Sequence, residues 1–213
     1  MSIIRQPFRY QNFGAVYWLI GINVLIYAAG RFLGRNFWIF FMETLSMIPY
    51  RIVHDKWFWT FATYMFMHGN FQHIFFNMLG LFIFGLHVER QMGSKEFLLY
   101  YFVTGTLAGI FSFAAYYYTR NYYVALIGAS GALFAVELAY AVLFPDSIIY
   151  IWGIIPLRAP IMVLGYTALE LIFSITGRNN GVAHLTHLAG FGFGWLYFLL
   201  RFGINPWRRL FGR

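Results

Sequence analysis

The sequence predicts an all-α membrane protein, a polytopic bundle of six transmembrane helices with a membrane-interfacial loop between the first and the second. Three observations predict it. Of 213 residues, 61% are hydrophobic and only 10% are charged, whereas an ordinary soluble domain carries roughly a quarter charged residues. Aromatic side chains make up another unusual share, 23% of the chain, more apolar surface than a water-soluble core can hide. Finally, residues 10–30, 57–88, 97–119 and 179–200 contain no Lys, Arg, Asp or Glu, and each stretch reaches the roughly 20 residues a helix needs to cross a bilayer.

The first span is placed over 13–33. It follows Arg5 and Arg9 as a signal peptide would, but its apolar length exceeds the roughly 7–15 residues of a cleavable core. It therefore reads as a retained helix behind a cytoplasmic N-terminal segment over 1–12. Between Arg35 and Pro49 the chain carries Phe37, Trp38, Ile39, Phe40, Phe41 and Met42 beside Arg35 and Glu43. That segment is too short to span and rich in interface-preferring rings, so it is expected half-sunk in the outer leaflet. The remaining spans fall at 71–91, 97–118, 127–145, 157–176 and 184–202. Together they make one membrane domain over 13–202, with a basic cytoplasmic tail over 203–213 and no fixed-period repeat or linker.

Six crossings put both termini on one face, and basic residues choose which. With the N-terminus inside, Arg5, Arg9, Arg90, Lys95, Arg158, Arg201, Arg208, Arg209 and Arg213 are cytoplasmic, against Arg31, Arg35, Arg51, Lys56, Arg120 and Arg178 outside. Nine against six favours both termini inside. The net charge of +8 is scattered at span ends and forms no groove-facing stripe, which argues against nucleic acid and for anionic lipid headgroups as partners. No cysteine is present, so thiolate catalysis and disulfides are excluded.

Polar groups inside spans are expensive and therefore informative. Here they gather at three places: His68, Asn70, His73 and Asn77 around the start of the second span, Ser130 near the start of the fourth, and His184 and His187 at the start of the sixth. All three spans are even-numbered and begin on the same face of the membrane, so topology alone brings Asn77, Ser130 and His187 to within about 10 Å of one depth at 1.5 Å rise per residue. A serine hydroxyl needs a neighbouring base to become a nucleophile, and Ser130 with His187 meets that need. His73 and Asn77, four residues apart, share one helical face and can aim two donors at a developing oxyanion; the Ser130 N–H, near a helix N-terminus, is a third. Gly128 and Gly131 leave room beside the hydroxyl, and Gly190 and Gly194 form a small-xxx-small face expected to pack on the span of Ser130.

Three blocks carry a family resemblance: residues 67–78 (MHGNFQHIFFNM), 128–132 (GASGA), and 187–190 (HLAG) with Gly194 following. With residues 88–94 (VERQMGS), at the junction of the second and third spans, they resemble the rhomboid intramembrane serine proteases, in order, from about 57 to 202. The resemblance implies Ser130 as nucleophile, His187 as base, and His73 with Asn77 at the oxyanion hole. It also implies cleavage of membrane-anchored proteins in or near their transmembrane segment, without metal or other cofactor, and lateral entry of substrate past the fifth span. Two features depart from the family. No Trp-Arg pair occurs in the first outer loop, and Phe134 stands where many members carry tyrosine; its phenyl face can still pack on the His187 imidazole.

Other readings compete with each of these. A small-residue Gly-x-Ser-Gly run in an apolar helix is by itself a packing site. His184 and His187 with His68 and His73 offer imidazoles to a metal, although no His-Glu-x-x-His motif is present. The preferred roles are His68 hydrogen-bonded near the site and His184 at its water-filled entrance. Glu137 and Glu170, both inside spans, read as carboxyls hydrogen-bonded to neighbouring helices, with no triad acid required. A non-proteolytic relative that binds transmembrane clients is the alternative function; a small transporter would show inverted repeats or broken helices. The expected location is a bacterial cell (inner) membrane, with the site near the outer face.

Overall fold

A computed structural model describes residues 8–151, 153–176 and 182–212. The first seven residues of the segment expected over 1–12 therefore lie outside the described residues. So do Arg5, Arg178 and Arg213, used above for orientation.

The chain is mostly helical, and four of its helices are long and apolar enough to cross a membrane. The first is α1 (Ala15–Phe32). The second is a continuous rod built from α5 (Phe71–Gly80), a π-helical turn (Leu81–Gly85) and α6 (Leu86–Met92). The third is α7 (Ser94–Tyr118) and the fourth α9 (Ala159–Thr176). Two further apolar helices complete the bundle. α8 (Ser130–Leu143) has 14 residues, about 21 Å at 1.5 Å per residue, shorter than the roughly 30 Å of a hydrocarbon core. α10 (Val182–Tyr197) runs on as a π-helical turn (Phe198–Phe202).

The connection over 34–56, expected as a loop, is helical: α2 (Arg35–Leu45) and α3 (Pro49–Asp55), the latter opened by proline at its first position, where the missing N–H costs nothing. None of the α2 side chains is buried. A short α4 (Thr60–Thr63) and a 3-10 turn (Tyr64–Phe66) lead into α5. The all-α expectation also needs correction. Ile148–Ile151 (β1) and Ile155–Arg158 (β2) pair as an antiparallel hairpin, Ile149 opposite Leu157, because a run dominated by β-branched isoleucine suits a strand. Beyond the bundle, α11 (Pro206–Phe211) packs Leu210 into the core, so the expected tail is partly structured.

The core centres on α8, where Gly131, Ala132, Leu133, Ala135, Val136, Glu137, Leu138, Ala139, Ala141 and Val142 are all buried. Small residues let neighbouring helices approach closely, and buried hydroxyls lock them. Tyr100 on α7 donates to the Ala135 carbonyl at 2.6 Å, Tyr64 to the Gly105 carbonyl at 2.8 Å, and Ser112 meets Thr186 at 2.6 Å. Large apolar side chains such as Trp18, Phe32, Phe71 and Ile175 stay exposed, the arrangement expected where lipid rather than water surrounds the bundle.

Candidate active site

Ser130 is the first residue of α8, and the chain arrives there through a tethered approach. Met47 and Leu126 exchange backbone hydrogen bonds at 3.1 and 2.9 Å, and the Gly128 N–H donates to the Tyr64 carbonyl at 3.0 Å. Gly128 takes φ +111°, a conformation that glycine adopts without steric cost. His187, on α10, presents Nε2 at 2.7 Å from the Ser130 Oγ. The imidazole lies flat on Phe134, centroids 4.6 Å apart and planes within 5°, so one face of the ring is fixed by packing.

The second span supplies the opposite wall. Asn70 caps α5, its Oδ1 accepting from the His73 N–H at 2.8 Å, which starts the helix so that His73 and Asn77 lie one above the other. Both face the serine loop: a side chain on Gly128 would overlap the His73 ring and reach 3.7 Å from the Asn77 Nδ2. Asn77 is buried, and its Nδ2 has no hydrogen-bond partner among the described residues. A buried unpaired donor is costly unless something arrives to accept from it. His68 is buried behind, its ring edge-on to His73 at 4.9 Å, its Nε2 3.4 Å from the Ala129 N–H. Burial first, and His73 second, push the His68 pKa down to about 3; the ring is neutral, and as acceptor at Nε2 it carries its proton on Nδ1.

Gly190 and Gly194 pack on α8 as their spacing predicts. A Cβ at Gly190 would overlap the Gly131 carbonyl oxygen, and one at Gly194 would lie 2.6 Å from the Tyr100 hydroxyl and 3.1 Å from the Ala135 Cβ. Gly131 in turn faces Thr186, Tyr64 and Ala108. The serine opens into a cavity of about 430 Å³ lined by Phe76, Asn77, Phe134, Glu137, Tyr166 and Glu170 among others.

Sequence reasoning missed one contact. Glu170 is indeed hydrogen-bonded to a neighbouring helix, but to one that matters: its Oε2 lies 2.5 Å from His184 Nδ1 and 3.1 Å from His187 Nδ1. His184 thus meets a carboxylate that itself lines the cavity. An isolated carboxylate in an apolar span was the available signal; which face of α9 it occupies is decided by packing. The metal quartet weighed from sequence included His68 and His73. The group of three that gathers among the described residues is instead Glu170, His184 and His187, with potential ligand atoms within 4.8 Å of one another, a spacing a divalent ion can bridge.

Residues 55–204 match the Rhomboid domain. Similar proteins include RHOMBOID-like protein 12, mitochondrial, of Arabidopsis thaliana, 28% identical across 87% of this chain and 63% of its own length. The Rhomboid protease AarA of Providencia stuartii is 28% identical over 62% of this chain and 52% of its own. The Rhomboid protease GlpG of Haemophilus influenzae is 31% identical over 64% and 66%. The matched region thus spans between about half and two thirds of the length of these relatives.

Proposed function

Because the chain belongs to the rhomboid family, a family of multi-pass membrane proteins whose members here include named proteases, we propose that it is an intramembrane serine endopeptidase acting on membrane-anchored proteins in or near their transmembrane segment. The observation that carries the reading is the 2.7 Å contact between Ser130 Oγ and His187 Nε2, the distance of a hydrogen bond between a nucleophile and its base.

In the proposed cycle His187 takes the Ser130 proton at Nε2 as the hydroxyl attacks a peptide carbonyl. The oxyanion is held by His73, Asn77 and the Ser130 N–H, which sits in the first turn of α8 where amides have no intrahelical partner. His187 then returns the proton to the leaving amine, and water hydrolyses the acyl-enzyme through the same base. The unpartnered Asn77 amide supports its place in this scheme. The shortness of α8 supports a site reached by water, since a helix of 14 residues starts below the rim of a normal bilayer.

The proposed topology has six crossings with both termini inside and the site toward the outer face, α8 and residues 182–202 joining the four longer spans. The proposed location is a bacterial cell (inner) membrane, although relatives are named for mitochondria and chloroplasts as well. Proposed partners are transmembrane substrates and lipids.

The test is incubation of detergent-purified protein with a generic transmembrane substrate, wild type against Ser130→Ala, with and without EDTA, alongside labelling by a fluorophosphonate. Cleavage and labelling that vanish in Ser130→Ala and survive EDTA are expected. Equal labelling of both proteins refutes the nucleophile. A folded protein that binds membrane segments and cleaves none returns the reading to a non-proteolytic client-binding relative.

A further inference from the structure

The proposed base has two nitrogens, and only one faces the serine. Its Nδ1 lies 3.1 Å from Oε2 of Glu170, and that same oxygen is hydrogen-bonded to His184 Nδ1 at 2.5 Å. All three side chains are largely sheltered, with exposures of 16% for Glu170, 14% for His184 and 20% for His187. The His187 contact has the length of a hydrogen bond but not its direction, and Nδ1 has no formal partner. Such contacts in ligand-free sites commonly tighten only when substrate arrives.

The carboxylate comes from α9, an element attached unevenly. Its buried residues, Ala159, Pro160, Met162 and Val163, all lie at its first two turns, where β2 leads into it. From Leu164 onward every described side chain is half-buried or exposed. The far half of α9 meets α10 through Glu170 and through Phe173, whose ring centroid is 5.5 Å from that of His184.

Resting on the proposed peptidase chemistry, we propose that Glu170 is a positioning residue for His187, delivered by α9, so that the catalytic pair is completed only while the far half of that helix is packed on α10. The physical role follows from proton placement. For Nε2 to accept the Ser130 proton, the resting proton of the neutral ring must sit on Nδ1, and a carboxylate there selects that tautomer. When the hydroxyl proton moves to Nε2 the ring becomes a cation, stabilised by the adjacent negative charge; no proton passes to Glu170, and the one on Nε2 leaves with the departing amine. His184, donating to the same oxygen, holds the carboxylate in place. Displacing α9 outward withdraws the charge from His187.

Purified full-length protein, with Ser130→Ala as blank, tests this through Glu170→Gln and Glu170→Asp. Labelling of Ser130 by a small fluorophosphonate requires no transmembrane segment to enter, so it isolates the base from substrate access. Glu170→Gln is expected to slow labelling and lower kcat by about tenfold or more, with KM within about twofold, while Glu170→Asp recovers part of both. Wild-type labelling rates in Glu170→Gln overturn the proposal. So does a loss that appears equally in Glu170→Asp and follows a fall in thermal midpoint, which reduces Glu170 to a helix-packing contact. A wild type that takes up no probe, or takes it up equally with Ser130→Ala, sinks the nucleophile assignment and this proposal with it, a result distinct from failure at Glu170 alone.

Discussion

Gly128 and Phe134 bracket the serine, and each fixes one of its partners. At φ +111° with the His73 ring against its Cα, Gly128 tolerates no side chain: Gly128→Ala is expected to cost about 1–3 kcal/mol of stability and to reduce fluorophosphonate labelling at least about tenfold, because the His73 ring must move. Labelling within a factor of two of wild type would contradict this. Phe134 stacks on His187 at 4.6 Å without using a hydroxyl, so Phe134→Tyr should keep the wild-type labelling rate. Phe134→Ala should slow it about two- to tenfold, the kinetic equivalent of a ring pair worth roughly 0.5–1.5 kcal/mol. The position of Phe134 was legible through the family resemblance, which implies an aromatic ring one helical turn past the serine. That of Glu170 was not, since Glu137 and Glu170 look alike in a sequence, each a carboxyl in an apolar span. What separates them is placement: both line the cavity, and Glu170 also lies against His184 and His187.

Between helices, the spacing of Ser130 and His187 is set by backbone contact. Gly190 leaves no room for a methyl group against the Gly131 carbonyl, and Gly194 sits 2.6 Å, at its absent Cβ, from the Tyr100 hydroxyl. Gly190→Ala must push α10 off α8, an overpacking cost of about 1–3 kcal/mol, and should abolish labelling while lowering the thermal midpoint. Gly194→Leu should abolish turnover without blocking membrane insertion, read by fractionation of membranes beside a cleavage assay. This packing was legible because glycines four apart mark a close-approach face whatever the neighbour. The hairpin of β1 and β2 was not. A four-residue apolar run such as Ile148–Ile151 has too few turns to show a helical period, and its outcome depends on the pairing partner. Nor could the helices α2 and α3 be distinguished from a loop, since an interfacial aromatic segment satisfies either description.

For the molecule as a whole, the four stretches long and apolar enough to cross a bilayer were plain, because bilayer thickness dictates span length. The polar clasps that tie distant stretches together were not, since they pair residues about 75 to 105 positions apart. At one such clasp the buried carboxylate of Glu96 receives Arg201 through Nε and Nη2, each at 2.8 Å, and the Tyr197 hydroxyl at 2.5 Å. Arg201→Leu leaves that carboxylate underpaired and should lower stability by about 3 kcal/mol, seen as a reduced thermal midpoint in micelles, while any molecules still folded label at the normal rate. At the other clasp Glu89, buried in α6, accepts from the Ala15 and Val16 N–H groups at 2.6 and 3.0 Å and from the Ser94 hydroxyl. The opening turn of α1 is thus capped by a residue inside the Rhomboid-matched region, although α1 itself lies before residue 55. Anyone trimming the protein to residues 55–204 would strip two backbone donors from the buried Glu89 carboxyl. Removal of the first helix is therefore expected to lower the thermal midpoint of what remains, read in micelles beside the whole chain.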